Sequence, residues 1–191
     1  MASLKGSKTE KNLMASFAGE SQARNRYSYF SSQARKDGFE QIAALFQETA
    51  DNEKEHAKLF FKFLEGGVVK IEASYPAGVI GETKANLKAA ADGELEEHTQ
   101  LYPEAAKIAA EEGFNEVAAT FRAIAGVEKW HERRYRQILK NLEEGNTFKR
   151  ADKVFWKCRE CGHVHEGASA PKLCPVCKHA QAYFEQFVEN Y

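Results

Sequence analysis

The first 157 residues of this 191-residue chain contain no cysteine. All four cysteines fall between Cys158 and Cys177, as two Cys-x-x-Cys pairs, so none remains for a disulfide elsewhere. That usage suits a reducing compartment and a metal site better than an oxidised scaffold. Long apolar runs are missing too, since no stretch approaches the roughly 18 residues of a membrane span. Residues Met1 to Asn12 are polar and lysine-rich and lack the apolar centre of a secretory signal, which makes the cytoplasm the expected compartment. Excess charge is absent as well. The formal net charge is -1, so no global field favours nucleic acid or an anionic membrane surface. No Gly-rich dinucleotide fingerprint occurs, so any reductase using a nicotinamide cofactor is expected to be a separate protein.

What is present divides in two. Charged residues make up 29% and hydrophobic residues 43% of the chain, as in a folded protein. The length allows one medium domain and a small one. From Leu4 to about residue 145 the chain is rich in Ala, Glu, Lys and Leu with helical periodicity, and Gly145 marks a helix stop. The remainder is short, cysteine-bearing and rich in turn residues. We expect helices over 4–36, 38–64, 82–111 and 114–143, a first domain over 1–148 and a second over 149–191.

The helical part contains an internal repeat. Residues 37–56 (DGFEQIAALFQETADNEKEH) and 112–131 (EGFNEVAATFRAIAGVEKWH) align at a displacement of 75 positions, with Glu and His matching as well as the apolar residues. Short joints at Lys36-Asp-Gly38 and Glu112-Gly113 imply antiparallel neighbours. The long segment from Gly66-Gly67 to Gly81 can cross the length of a bundle, which predicts an all-α four-helix bundle with one long crossover.

Each helix carries a stripe at steps of three and four that faces the core. Glutamate and histidine interrupt all four: Glu20 in the first, Glu53 and His56 in the second, Glu94 and Glu97 in the third, Glu128 and His131 in the fourth. An unpaired buried carboxylate costs several kcal/mol, and neighbouring carboxylates repel one another. No lysine or arginine occupies the stripes, so metal cations are the expected counter-charge; oxygen and imidazole ligands suit iron or manganese. Glu53/His56 and Glu128/His131 stand three apart and project from one helical face. One carboxylate from each of two helices, with a Glu-x-x-His from each of the others, is the ligand pattern of di-iron or di-manganese bundles. Tyr27 and Tyr102 lie about two turns beyond Glu20 and Glu94; they are read either as hydrogen-bonding to ligating carboxylates or as simple aromatic packing. His98 is read as a surface histidine.

The tail, Trp156-Lys-Cys158-Arg-Glu-Cys161-Gly162 followed by Cys174-Pro175-Val-Cys177, brings four thiolates into a tetrahedron. So short a segment needs a metal staple to fold. His163, His165 and His179 could serve as ligands, but four thiolates already complete the shell. The cysteine spacing alone suits zinc as well as iron.

The segments Gly19-Glu20-Ser-Gln-Ala-Arg24-Asn-Arg26-Tyr27, Glu53-Lys-Glu-His56 and Glu94-x-x-Glu97 resemble those of rubrerythrins. The Cys-Pro-x-Cys module with Phe155, Trp156, Tyr183 and Phe184 resembles rubredoxin, which rubrerythrins carry after the bundle. The resemblance implies a ferritin-like fold with a small rubredoxin-like β/loop domain, two non-haem irons in the bundle and one iron on the four cysteines, where recombinant protein can hold zinc. It implies that Glu97, matched by Ala23 in the first half, is a seventh ligand, and that one iron is held by His56 when reduced and shifts to Glu97 when oxidised. The implied activity is an oxidative-stress peroxidase reducing hydrogen peroxide to water, with Glu97, His56, Tyr27 and Tyr102 in the catalytic machinery. Electrons would come from a rubredoxin or an NAD(P)H-dependent reductase. A homodimer is implied, the tail of one subunit lying near the di-iron site of the other. The rival reading is a ferroxidase or iron-storage protein.

Overall fold

The structure, a computed structural model, describes residues 3–190; the expected domain ends at 1–2 and 191 lie outside the described residues. The elements in order are α1 (Lys8–Lys36), α2 (Glu40–Phe63), α3 (Thr83–Glu96), a π turn (Glu97–Leu101), α4 (Tyr102–Glu111), α5 (Asn115–Glu143), β1 (Lys149–Cys158), β2 (Val164–Ser169), a 3-10 turn (Gln181–Tyr183) and β3 (Phe184–Gln186). The π turn joins α3 and α4 into the third long helix of a four-helix bundle. Helix α1 pairs with α2, α3 and α4 pair with α5, and the crossover after Phe63 links the halves. Among the described residues no helix is long and apolar enough to cross a membrane.

The repeat extends into the helix ends. Gly38 and Gly113 both have φ of 85°, the left-handed conformation that closes a helix without a Cβ penalty. Beside them, Asp37 and Glu112 each cap the first helix of the other half. Asp37 Oδ2 accepts from the Thr83 amide at 2.9 Å and from its hydroxyl at 2.7 Å. Glu112 accepts from the Lys8 and Thr9 amides at 3.1 and 2.8 Å. The carboxylates thereby satisfy amides that a helix start leaves unpaired. Helix α1 begins at Lys8 rather than residue 4, because Ser7 accepts from the Glu10 amide as N-cap.

Two apolar clusters fill the bundle, one on each side of the glutamate layer. One contains Tyr27, Phe30, Phe46, Leu87 and Tyr135; the other contains Leu13, Phe60, Tyr102, Val117 and Phe121. The stripes hold in α1, α2 and α5 but change phase in the third helix. Leu101, four residues after Glu97 and so on the expected core-facing stripe, is 51% exposed, whereas Tyr102 is 2% exposed. A π turn holds more residues per turn than an α-helix, so every position after it rotates relative to a regular 3.6 repeat.

The tail forms an antiparallel sheet of order β2-β1-β3 around buried Trp156 and Phe184. It rests on the α1–α2 end of the bundle, where Phe39 and Phe148 stack with ring centroids 6.0 Å apart.

Candidate metal centre

Midway along the bundle the structure gathers six of the predicted ligands into two overlapping groups. Glu20, Glu53, His56 and Glu128 form one, and Glu53, Glu94, Glu128 and His131 the other; the donor atoms of each lie within 4.8 Å of one another. All six side chains are buried. Glu53 and Glu128 belong to both groups, so each can offer one oxygen to either side. His56 Nδ1 lies 2.9 Å from both Glu53 Oε2 and Glu128 Oε1. His131 Nδ1 lies 2.7 Å from Glu128 Oε2 and 3.3 Å from Glu53 Oε1. The two imidazole centroids are 6.1 Å apart.

Glu20 Oε2, Glu53 Oε1, Glu94 Oε2 and both Glu128 oxygens are buried with no partner among the described residues beyond the close approach of the two imidazoles. So many buried acceptors at one point call for positive charge among them, which cations supply. Without cations, protons take their place. Burial opposes charge on His56, but Glu128 and Glu53 outweigh it and raise the imidazole to about 9. His131 is lifted against burial by Glu128, Glu53 and Glu94, to about 12. Burial, then the Glu53, Glu97 and Glu128 charges, pushes Glu20 well above the usual carboxylate range. The donor set therefore fits two oxygen- and imidazole-bound irons.

The two tyrosines make the carboxylate bonds that remained open. Each serves the other half of the repeat: Tyr27 donates to Glu94 Oε1 and Tyr102 to Glu20 Oε1, both at 2.5 Å. The phenols fix the carboxylates at the two ends of the centre.

Glu97 lies outside both donor groups. It begins the π turn and lines a cleft together with Tyr102 and Arg26. Burial, followed by the Glu94, Glu128 and Glu53 charges, raises it well above the usual carboxylate range, and Arg26 partly offsets them. His98 corrects the sequence reading. It is not a free surface histidine, because its Nε2 lies 2.9 Å from Glu132 Oε2 and its side chain is only 12% exposed. Helix periodicity could not show this pairing, since the partner lies 34 residues away on α5.

In the tail, Cys158 Sγ lies 3.7 Å from Cys177 Sγ, and Cys161 Sγ 3.6 Å from Cys174 Sγ. The four sulfurs form one cluster. Two matched knuckles build it. The Cys158 and Cys174 amides both donate 2.8 Å bonds, to the His163 and His179 carbonyls. Each knuckle then closes on a left-handed residue, Gly162 with φ 78° and Lys178 with φ 64°. Burial opposes ionisation of Cys174, but the Cys177 and Val176 amides bring it down to about 6. For Cys177 a bond from the His179 amide favours the thiolate, yet burial and the sulfurs of Cys161, Cys174 and Cys158 push it up to about 12. Four adjacent thiolates thus need a cation. His163 and His179 contribute backbone carbonyls rather than ring nitrogens, and the cluster contains neither these two nor His165.

Residues 11–139 match the family model described as Rubrerythrin, and residues 156–185 that of the Rubrerythrin, rubredoxin-like domain. The chain belongs to the rubrerythrin family. It is 60% identical over 189 residues to a rubrerythrin of Porphyromonas gingivalis, covering 99% of this chain and 94% of that protein. It is 57% identical over 191 residues to a rubrerythrin of Nitratidesulfovibrio vulgaris, covering 100% of both. Among solved structures it is similar to the partially reduced state of nigerythrin, with a TM-score of 0.64 and 30% identity over 97% of this chain and 92% of that one. The rubrerythrin bundle carries a carboxylate–histidine di-iron site, and its rubredoxin-like module carries the four-cysteine iron site.

Proposed function

We propose that this rubrerythrin is a peroxidase that reduces hydrogen peroxide to water at the bundle site and is re-reduced through its cysteine module. The observation that carries this reading is the Cys158/Cys161/Cys174/Cys177 cluster in the same chain as the carboxylate centre. A one-electron relay serves a site that is repeatedly reoxidised, whereas an iron store has no need of one. When bound, the two irons supply a pair of electrons to the peroxide O–O bond.

The chain's own residues do the rest. Glu53 and Glu128 hold the two halves of the centre together. Glu20 and Glu94 close its ends and keep the hydroxyl protons of Tyr102 and Tyr27 on their oxygens. Phe60, Phe121, Phe46 and Tyr135 exclude water above and below. Glu97, outside the donor groups on a turn of altered pitch, is the residue we assign as the movable seventh ligand. With irons bound, a fifth carboxylate would offset positive charge gained on oxidation, which an imidazole ligand would not, so Glu97 would be the favoured ligand in place of His56. The proposed ligands are Glu20, Glu53, His56, Glu94, Glu97, Glu128 and His131 in the bundle and the four cysteines in the tail. Helix α5 ends at Glu143 and β1 begins at Lys149, which supports dividing the chain into 1–148 and 149–191.

We place the protein in the cytoplasm as a homodimer fed by a rubredoxin or an NAD(P)H-dependent reductase, as the four-cysteine relay and family membership suggest. Anaerobic stopped-flow absorbance of the reduced, iron-loaded protein tests the reaction. Oxidation of both iron sites should be much faster with peroxide than with oxygen. Faster oxidation by oxygen, with the cysteine iron unresponsive, would replace this reading by a ferroxidase.

A further inference from the structure

The cleft beside Glu97 is larger than hydrogen peroxide requires. It runs in the groove between α1 and the antiparallel α3–α4 helix, beneath crossover residues 73–76, and has a volume of about 570 Å³. One water takes about 30 Å³ of liquid, so a molecule of two oxygens fills a small fraction of this space. The size lies within the range of small-molecule sites.

The wall is graded. Glu97 lines the cleft together with Tyr102, whose hydroxyl reaches Glu20 of the metal centre. Farther along, the apolar surface of Ala15, Tyr75 and Ile108 is interrupted by the polar side chains of Asn12, Ser16 and Glu104. The Tyr75 ring forms the roof, held by its hydroxyl donating to the Ala15 carbonyl at 2.7 Å. It also lies against Gly19, where a Cβ would stand 3.6 Å from its edge. The cleft is therefore of mixed polarity, with apolar surface beneath Tyr75 and the Glu97 carboxyl and Tyr102 phenol among its polar groups.

We propose that this cleft admits organic hydroperoxides with a compact alkyl or aryl tail, and that the protein reduces them to the corresponding alcohols. The inference rests on the peroxide-reducing reading above. The tail occupies the slot beneath Tyr75 and directs the –OOH group toward Glu97. The O–O bond would then break, taking two electrons that bound ferrous ions would supply and two protons from solvent; one product is the alcohol, retained by its tail, and the other is water. The free energy comes from burying the apolar tail, which hydrogen peroxide does not possess.

The test uses the full-length, iron-loaded protein and cumene hydroperoxide, with its product, cumyl alcohol, as a ligand that cannot turn over. Calorimetric titration of the oxidised protein should show saturable alcohol binding. Parallel assays should show both cumene hydroperoxide and hydrogen peroxide consumed. Ser16→Phe and Ile108→Trp each fill the slot from a different helix, so one remains informative if the other fails to fold. Each should abolish alcohol binding and lower the rate ratio of cumene hydroperoxide to hydrogen peroxide by at least about tenfold. Turnover of hydrogen peroxide without cumene hydroperoxide, or a ratio unmoved by both variants, overturns this proposal alone. Consumption of neither peroxide by protein that still binds the alcohol overturns the underlying peroxidase reading and this proposal with it.

Discussion

Glu53 and Glu128 face both donor groups while Glu20 and Glu94 each face one, and that asymmetry separates their variants. Glu20→Ala leaves the Glu53/Glu94/Glu128/His131 group whole, so iron analysis should find one of the two bundle irons lost. Glu53→Ala damages both groups and should empty the bundle of iron while the cysteine iron remains. The tyrosines act through the carboxylates they hold. Tyr27→Phe and Tyr102→Phe each remove one bond to a carboxylate, and competitive metal titration should show bundle affinity reduced by about ten- to a hundredfold. Sequence position placed these tyrosines near the site but could not say which carboxylate each would reach.

The π turn is an element whose removal can be tested. It places one more residue between Glu94 and Tyr102 than a regular helix needs to keep both inside. Deleting exposed Thr99 should restore a continuous α-helix in which Tyr102 still faces Glu20 but Glu97 no longer begins a widened turn. We expect iron content to persist and peroxide turnover to fall at least about tenfold if Glu97 contributes as an acid–base group or ligand. In the tail, the matched knuckles carry different residues at positive φ, Gly162 in one and Lys178 in the other. Gly162→Ala should destabilise the module by about 1 kcal/mol or more, read as earlier loss of cysteine-iron absorbance on heating. The repeat and the Cys-x-x-Cys spacing were legible because helix periodicity and knuckle geometry are local. The phase change in the third helix was not, because no composition signal separates its five residues from α-helix.

Across the whole molecule, the glutamate layer makes stability depend on pH in opposite directions with and without iron. His56 and His131 are raised in the metal-free fold, to about 9 and about 12, above the unfolded value near 6.5. Their stabilisation is therefore fully present below about pH 6.5 and is lost as pH rises through these values. Glu20 and Glu97 are raised as well, and ionising them in the core acts in the same direction. The melting temperature of the metal-free protein should fall between pH 6 and 9. Iron binding displaces those protons, so the loaded protein should instead lose stability, and release iron, as pH falls. Thermal scans of both forms across that range check the crossing of the two curves.

The residues by themselves determined the two-part chain, the four helices, the ligand-bearing stripes and the four-cysteine staple, because each rests on spacing along a single helix or turn. Only the tertiary structure decided that Tyr27 bonds Glu94 across 67 residues and Tyr102 bonds Glu20 across 82. It also decided that Asp37 and Glu112 cap the opposite half, that His98 pairs with Glu132, and that Glu97 stands beside the donor groups rather than within them. These follow from how antiparallel helices are set against one another, and from the balance of buried charge at a point where four of them meet. A linear sequence brings the right groups to the right faces; through-space distance then selects which of them touch.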